Sequence, residues 1–261
     1  MAYIMKNMTV EDMNNLDVKT VIIPVGVVEQ HGFHLPLSTD ICNAEKPIEL
    51  AGDRLNALIA PTVNYCFSGG SLRGTINVSP NVFGLYITEI CREFVRSGFK
   101  NVIVFMGHGG TENMNALRDS LQMFLRGLDK KDITVSLVCA WDFSPSWWYK
   151  AENGECDFHA GLTETSLMQF WAPELVRENI VMDDPEISRN MRSDQDWYAV
   201  SEKAVDHPLV LETVRQRDEI KVGVMGFPEM ASREFGEKVA GEVVEGLIKY
   251  VDMLNEKTAE I

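Results

Sequence analysis

Five short β-branched runs, each bounded by turn residues, set the outer limit on what this chain can fold into: Thr20 to Val28, Leu58 to Val63, Asn101 to Met106, Ile133 to Cys139 and Glu219 to Met225. Runs of that kind read as buried strands. Helical patterns lie between and after them. Ser79-Pro80 puts an N-cap before a proline at the first helical position; Val82, Tyr86, Ile90 and Phe94 follow at four-residue spacing, and Gly98 ends the segment. A second helix is expected from Thr111 to about Arg126, burying Met114, Leu117, Leu121 and Leu125 before Gly127. The last carries Phe235, Val239, Val243, Leu247 and Val251 on one stripe, with charges opposite. Parallel strands need crossovers that cover the sheet faces, so this alternation predicts an α/β chain, a three-layer α/β/α sandwich around a mainly parallel sheet. Residues 1–261 read as one domain. The polar stretch Met182 to Gln216, with Asp183-Asp184-Pro185 and Ser193-Asp194-Gln195-Asp196, has weak periodicity and reads as an excursion from the sheet: a lid, an interface arm or a surface loop.

Composition narrows the partners. Apolar residues make up 45% and charged residues 24%, enough for burial to offset chain entropy and to exclude global disorder. Lys and Arg number 24 against 39 Asp and Glu, a formal charge of −15 that repels phosphate backbones and anionic lipid, so neither nucleic acid nor a membrane is an expected partner. No apolar run approaches the roughly 18 residues of a membrane span, and Lys6, Glu11, Asp12 and Asp17 speak against a signal peptide. Cys42, Cys66, Cys91, Cys139 and Cys156 are odd in number and form no C-x-x-C pair, which predicts reduced thiols and a cytoplasmic location.

The chemistry concentrates in three polar, glycine-containing clusters placed after strands or before a helix, where a rigid sheet positions its loops. In the first, Glu29 to Asp40, an extended chain puts Glu29 and His31 on the same side, with Asp40 returning after a proline-containing loop. These are donors for a borderline divalent ion such as Zn²⁺ or Mn²⁺. The competing reading has His31 and His34 bonding loop carbonyls and Asp40 capping a helix that begins near Ile41. The second, Gly107-His108-Gly109-Gly110, has glycines that would let the backbone approach a ligand; it lacks the spacing of a phosphate cradle, so a ligand histidine in a tight turn is weighed against a simple turn. In the third, His159-Ala160-Gly161-Leu162-Thr163-Glu164, Thr163 or Gly161 could cap the following helix and Glu164 suit its macrodipole. The functional reading makes Glu164 a metal ligand and His159 a general acid/base. Trp141, Trp147, Trp148 and Trp171 gather around this motif as core aromatics or as a substrate-facing wall. No G-x-S-x-G elbow is present, and no cysteine sits in an activating context.

The run Pro24-Val25-Gly26-Val27-Val28-Glu29-Gln30-His31-Gly32-x-His34-Leu35-Pro36-x-x-Thr39-Asp40 closely resembles the signature of the creatininase (creatinine amidohydrolase) family. Gly107-His108-Gly109-Gly110, His159-Ala160-Gly161-x-x-Glu164-Thr165-Ser166 and Val224-Met225-Gly226-x-Pro228-x-x-Ala231-Ser232 with Gly236 are similar to its later motifs, in order. The resemblance spans about residues 18 to 255. It implies a metal-dependent hydrolase with an α/β/α fold, one or two divalent ions (Zn or Mn, with Fe possible), and a homohexamer. On that pattern Glu29, Asp40 and His108 match the ligands of one metal and His31 and Asp40 those of the other, with Asp40 bridging. Glu164 is similar to a further acid at the metals, and His159 to the catalytic histidine; Glu164 or His159 is expected to carry the proton to the leaving group.

Three departures bear on substrate. Members that hydrolyse creatinine carry a carboxylate two residues after the histidine, where this chain has Gly110, with Glu112 two further on; the second metal is then held by Glu164 or weakly. Thr111 stands where many relatives have Asn, and the segment Phe67 to Thr75 lacks the usual His and Pro-Gly-Thr and carries Arg73 instead. The expected substrate is a small polar, cyclic amide touching Arg73 and Trp141. The resemblance also allows ring opening of an oxidised inositol (3-dehydro-scyllo-inosose type), and a catalytically silent metal- or ligand-binding subunit is the reading from another class.

Overall fold

The computed structural model describes residues 3–129 and 132–259. In chain order the elements are β1 (Tyr3–Ile4), α1 (Val10–Asn14), β2 (Thr20–Val25), α2 (Thr39–Ala51), β3 (Leu58–Ile59), α3 (Pro80–Arg96), β4 (Asn101–Met106), α4 (Thr111–Arg126), β5 (Thr134–Cys139), α5 (Leu162–Trp171), α6 (Pro185–Ser193), β6 (Ala199–Glu202), β7 (Thr213–Gln216) and α7 (Arg233–Ala259). Five strands form one sheet in the order β1-β3-β2-β4-β5, every pair parallel.

Alternation along the central strands sorts their side chains between two cores. Val21, Ile23 and Val25 of β2 and Val102, Val104 and Met106 of β4 face α3 and α4, meeting Phe83, Ile87, Leu117 and Phe124. Ile22, Ile103 and Phe105 face the other way, onto Ala44 and Ile48 of α2 and Val239, Val243, Leu247 and Val251 of α7. Both faces are covered, so the central strands are apolar throughout; burying each such aliphatic side chain contributes about 1.5–3 kcal/mol. The result is the expected three-layer α/β/α sandwich.

Two expectations give way. The stripe on α3 is Phe83, Ile87, Cys91 and Phe94, whereas Val82 and Tyr86 are each 54% exposed. A four-residue step drifts around a helix of 3.6 residues per turn, so it ran one position off the buried face. The run Glu219 to Met225 is not a strand. Its amides at Lys221, Val222 and Gly223 donate to the buried carboxylate of Asp183, and Met225 N–H donates to His159 C=O. A side chain therefore satisfies backbone that a sheet ladder would otherwise have served. The excursion 182–216 holds α6 and the antiparallel hairpin β6–β7. No helix among the described residues is long and apolar enough to cross a membrane.

Candidate metal centre

The carboxyl ends of β2 and β4 and the N-terminal turns of α2 and α5 meet at one edge of the sheet. Close approach makes this possible: a Cβ on Gly107 would stand 2.0 Å from Asp40 O and 2.7 Å from Ala44 N, so only glycine lets α2 press against the end of β4. Gly109 likewise makes room for the Trp141 ring, which would lie 2.3 Å from an added Cβ. These glycines serve packing, and they also line the cleft, where the sequence predicts backbone close to a ligand.

Asp40 lies at the centre. The helix starts at Thr39, and Asp40 makes no capping bond; its carboxylate points inward and is buried. Oδ1 is 3.5 Å from His31 Nε2 and Oδ2 is 3.3 Å from His108 Nδ1. Glu29 Oε2 is 3.2 Å from the same His108 nitrogen, and Glu164 Oε2 is 3.7 Å from His31 Nε2. Two donor sets result, Glu29–Asp40–His108 and His31–Asp40–Glu164, sharing Asp40; Glu29, His31 and His159 form a third grouping.

Each donor is held by neighbours. Ser68 Oγ donates to Glu29 Oε1 at 2.6 Å. Glu164 accepts from Asn43 Nδ2 at Oε1 (3.1 Å) and from the Ala160 amide at Oε2 (2.6 Å). His31 Nδ1 lies 3.1 Å from the carbonyl of Glu29, which can only accept, so the ring carries a hydrogen there and presents Nε2 to the carboxylates. His159 Nε2 donates to the carbonyl of Gln30 at 2.8 Å, and its ring packs 4.2 Å from that of His31.

The charges hold one another. Burial alone would raise the Glu29 carboxyl; the imidazoles of His159 and His108 override it and hold the group well below the usual carboxylate range. Burial would likewise depress His31 and His108, but Asp40 with Glu164, and Glu29 with Asp40, raise them well above the usual imidazole value. Glu164 is lowered, its burial outweighed by His31. His34 goes the other way: burial pushes it down to about 4, and its Nε2 meets Thr165 Oγ1 at 3.1 Å. It packs the first loop against α5 and belongs to neither donor set.

The donors suit a divalent cation. Glu29 Oε2, His31 Nε2 and Asp40 Oδ2 are buried and have no hydrogen-bond partner. Buried polar atoms that converge without a hydrogen bond of good geometry are what a cation would satisfy together, taking the place of the protons on the facing imidazole nitrogens. His108 needs one adjustment. Its Nε2 accepts the Gly110 amide at 3.1 Å, which leaves the ring proton on Nδ1, facing both carboxylates; to serve as a ligand through Nδ1 the ring would have to give up that proton.

Above the donors lies an open cleft. Trp141, Trp147 and Trp148 line it and pack on one another at 5.7 and 5.9 Å, whereas Trp171 packs in the core. The excursion supplies Met191, Gln195, Asp196, Tyr198 and Gln216 to its wall. Tyr198 Oη donates to Glu112 Oε2 at 3.1 Å, and Thr111 Oγ1 donates to Asp196 Oδ1 at 2.8 Å. Arg73, expected against substrate, is exposed and outside the lining; it sits one residue beyond Leu72, which does line the cleft. Gly161 takes the N-cap position of α5, as one of the two expected residues, and having no side chain it leaves the capping bonds to Asp157, which accepts from Leu162 N–H (2.7 Å) and Thr163 N–H (3.0 Å). Sequence reasoning missed Asn43, Ser68 and Asp157, which stand outside the three clusters and reach into them at Glu164, Glu29 and the Leu162 and Thr163 amides; only the helix-start chemistry of an Asp before Leu162 offered a signal.

The profile of the creatininase family, described as creatinine amidohydrolase, matches residues 5–251. The chain is similar to the creatinine amidohydrolase of Pseudomonas putida, 28% identical over 180 residues that cover 63% of this chain and 68% of that one. It is also similar to the mycofactocin precursor peptide peptidase of Mycolicibacterium smegmatis, 29% identical over 244 residues, 88% of this chain and 83% of the other. Two solved creatininases, one with Mn and one of Zn-Zn type, superpose with a TM-score of 0.75 at 23% identity, each over 98% of this chain and 99% of theirs.

Proposed function

The chain belongs to the creatininase family, and from that premise we propose that it hydrolyses an amide of a small polar substrate at a centre of one or two divalent ions, Zn or Mn. The observation that carries this reading is the convergence of buried side-chain atoms of Glu29, His31 and Asp40 that have no hydrogen-bond partner. Glu29, Asp40 and His108 would hold one ion, and His31, Asp40 and Glu164 the other. A divalent ion so held would supply Lewis acidity and lower the pKa of bound water to about 7.

The chain's own groups divide the remaining work. Glu164 accepts hydrogen bonds at both oxygens, which suits a fixed ligand and not a proton carrier. His159 is anchored through Nε2 only, so its other nitrogen is left to take a proton from the attacking water and return it to the leaving nitrogen. Trp141, stacked over Gly109, gives the substrate a flat wall and keeps bulk water off that side. The peptidase name of one set of relatives favours a second substrate reading, the amide of a peptide, which the open cleft has room for.

The excursion 182–216 is read as the outer wall of the cleft within a single domain, latched by Tyr198–Glu112 and Thr111–Asp196. Five free cysteines, three of them buried, fit a reducing cytoplasm. The homohexamer rests on the family resemblance.

Elemental analysis after gentle purification, alongside hydrolysis of cyclic amides, formamides and short peptides, tests the reading. At least one equivalent of Zn or Mn per chain and turnover lost on chelation are expected. Less than a tenth of an equivalent, with no activity gained on adding either metal, overturns it.

A further inference from the structure

Charge divides the cleft into two zones. Glu29, Asp40 and Glu164 crowd its floor beside His108 and His159, and the outer wall carries Asp196; among the described residues that line it there is no lysine and no arginine. A carboxylate on the substrate therefore has no lysine or arginine to meet. Two divalent ions would turn the floor slightly positive, so a cationic group on a substrate belongs at the outer wall, away from the scissile carbonyl.

That wall is built to receive one. Trp148 is 51% exposed and lines the cleft, with edge-to-face contacts to Trp141 at 5.9 Å and to Phe158 at 6.3 Å. The arrangement spreads three aromatic rings around one side of the opening. Asp196, also exposed, is fixed by the Thr111 hydroxyl on Oδ1 and by its own N–H on Asp194 Oδ1 (2.9 Å), which leaves Oδ2 without a bond. Aromatic faces attract cations through their quadrupole, and a carboxylate lining the same cleft adds a directed acceptor. The excursion brings this carboxylate to the opening, so the segment least tied to the sheet supplies the discriminating charge.

The geometry points to a substrate with an amide at one end and a positively charged group, an amidinium, guanidinium or ammonium, at the other, read by Asp196 and Trp148 as specificity-determining residues. The inference rests on the amide-hydrolase reading for the amide end and stands on the cleft's charge for the other.

Calorimetric titration of the metal-loaded protein with benzamidinium, benzamide and benzoate, three planar isosteres of charge +1, 0 and −1, tests the charged end without turnover. Benzamidinium is expected to bind at least about threefold more tightly than benzamide. Asp196→Asn should remove most of that ratio and leave benzamide within twofold of wild type, and Trp148→Leu should weaken benzamidinium more than benzamide. Metal content of both variants should equal wild type, which sets a folding defect apart from a lost contact. Equal binding of the cation and the neutral ring, an Asp196→Asn ratio like that of wild type, or benzoate as the tightest ligand with an unchanged cation ratio would each overturn the inference. Turnover of a neutral amide, assayed in parallel, reports on the hydrolase reading alone.

Discussion

Ala160 adopts a left-handed φ of 54° and thereby aims its amide at Glu164 Oε2, 2.6 Å away. It is the one non-glycine residue with positive φ among those described, a conformation that costs an L-residue about 1–2 kcal/mol. The turn tightens His159 and Glu164 onto one site and fixes the acid before any cation arrives. Ala160→Gly should relieve the backbone and lose a buried methyl worth about 0.8 kcal/mol, so its Tm should stay within about 4 °C of wild type with metal content unchanged. Ala160→Val, β-branched where branching is least tolerated, should lower Tm by more than that and lose metal. Thermal unfolding and elemental analysis of the pair check both.

Ser68 touches no cation in either donor set yet holds Glu29 at 2.6 Å. Ser68→Ala should weaken metal affinity by about 10–100-fold, the usual share of a group that orients a ligand. Asp40→Ala should do more damage, because one carboxylate serves both sets. Chelator competition would rank the two; equal affinities for Asp40→Ala and wild type would remove Asp40 from the centre.

His159→Ala should reduce kcat by about 10²- to 10⁴-fold with metal occupancy retained. Loss of metal would instead make His159 a ligand, as its grouping with Glu29 and His31 allows.

His34 links acid stability to burial. Its folded value is depressed to about 4 from the usual 6.5, so between those limits the unfolded chain binds a proton that the folded chain does not. Its contribution is present above pH 6.5 and is lost as pH falls toward 4. His34→Gln keeps a partner for Thr165 and cannot titrate; its Tm should fall less steeply than that of wild type over that interval. Parallel melting curves from pH 7 to 4 measure the difference.

Much of the architecture was legible because it is local or periodic. The runs at Thr20 and Asn101 alternate between two cores, and the α7 stripe from Val239 to Val251 is buried as its spacing implies. Glu29, His31, Asp40, His108 and Glu164 were readable as donors because three motifs stand at strand or helix ends. What stayed hidden depends on contacts far apart in sequence. A β-branched run at Glu219 gave no hint that Asp183 would take its amides, and nothing near Arg73 says that its side chain leaves the cleft while Leu72 enters it. Trp148 and Trp171 have the same composition signal; only the packing of α5 against α7 sends one to the opening and the other to the core.

The donors at Glu29, His31, Asp40, His108 and Glu164 come from four separate elements and loops spread over about half the chain. No fragment carrying a single motif presents a complete set, so cation occupancy counts folded molecules. Mass action then makes trace-metal supply a determinant of abundance: each tenfold rise in free cation above its Kd adds about 1.4 kcal/mol to the folded state. Copies starved of the ion would be cleared by proteolysis before they could be scored as inactive.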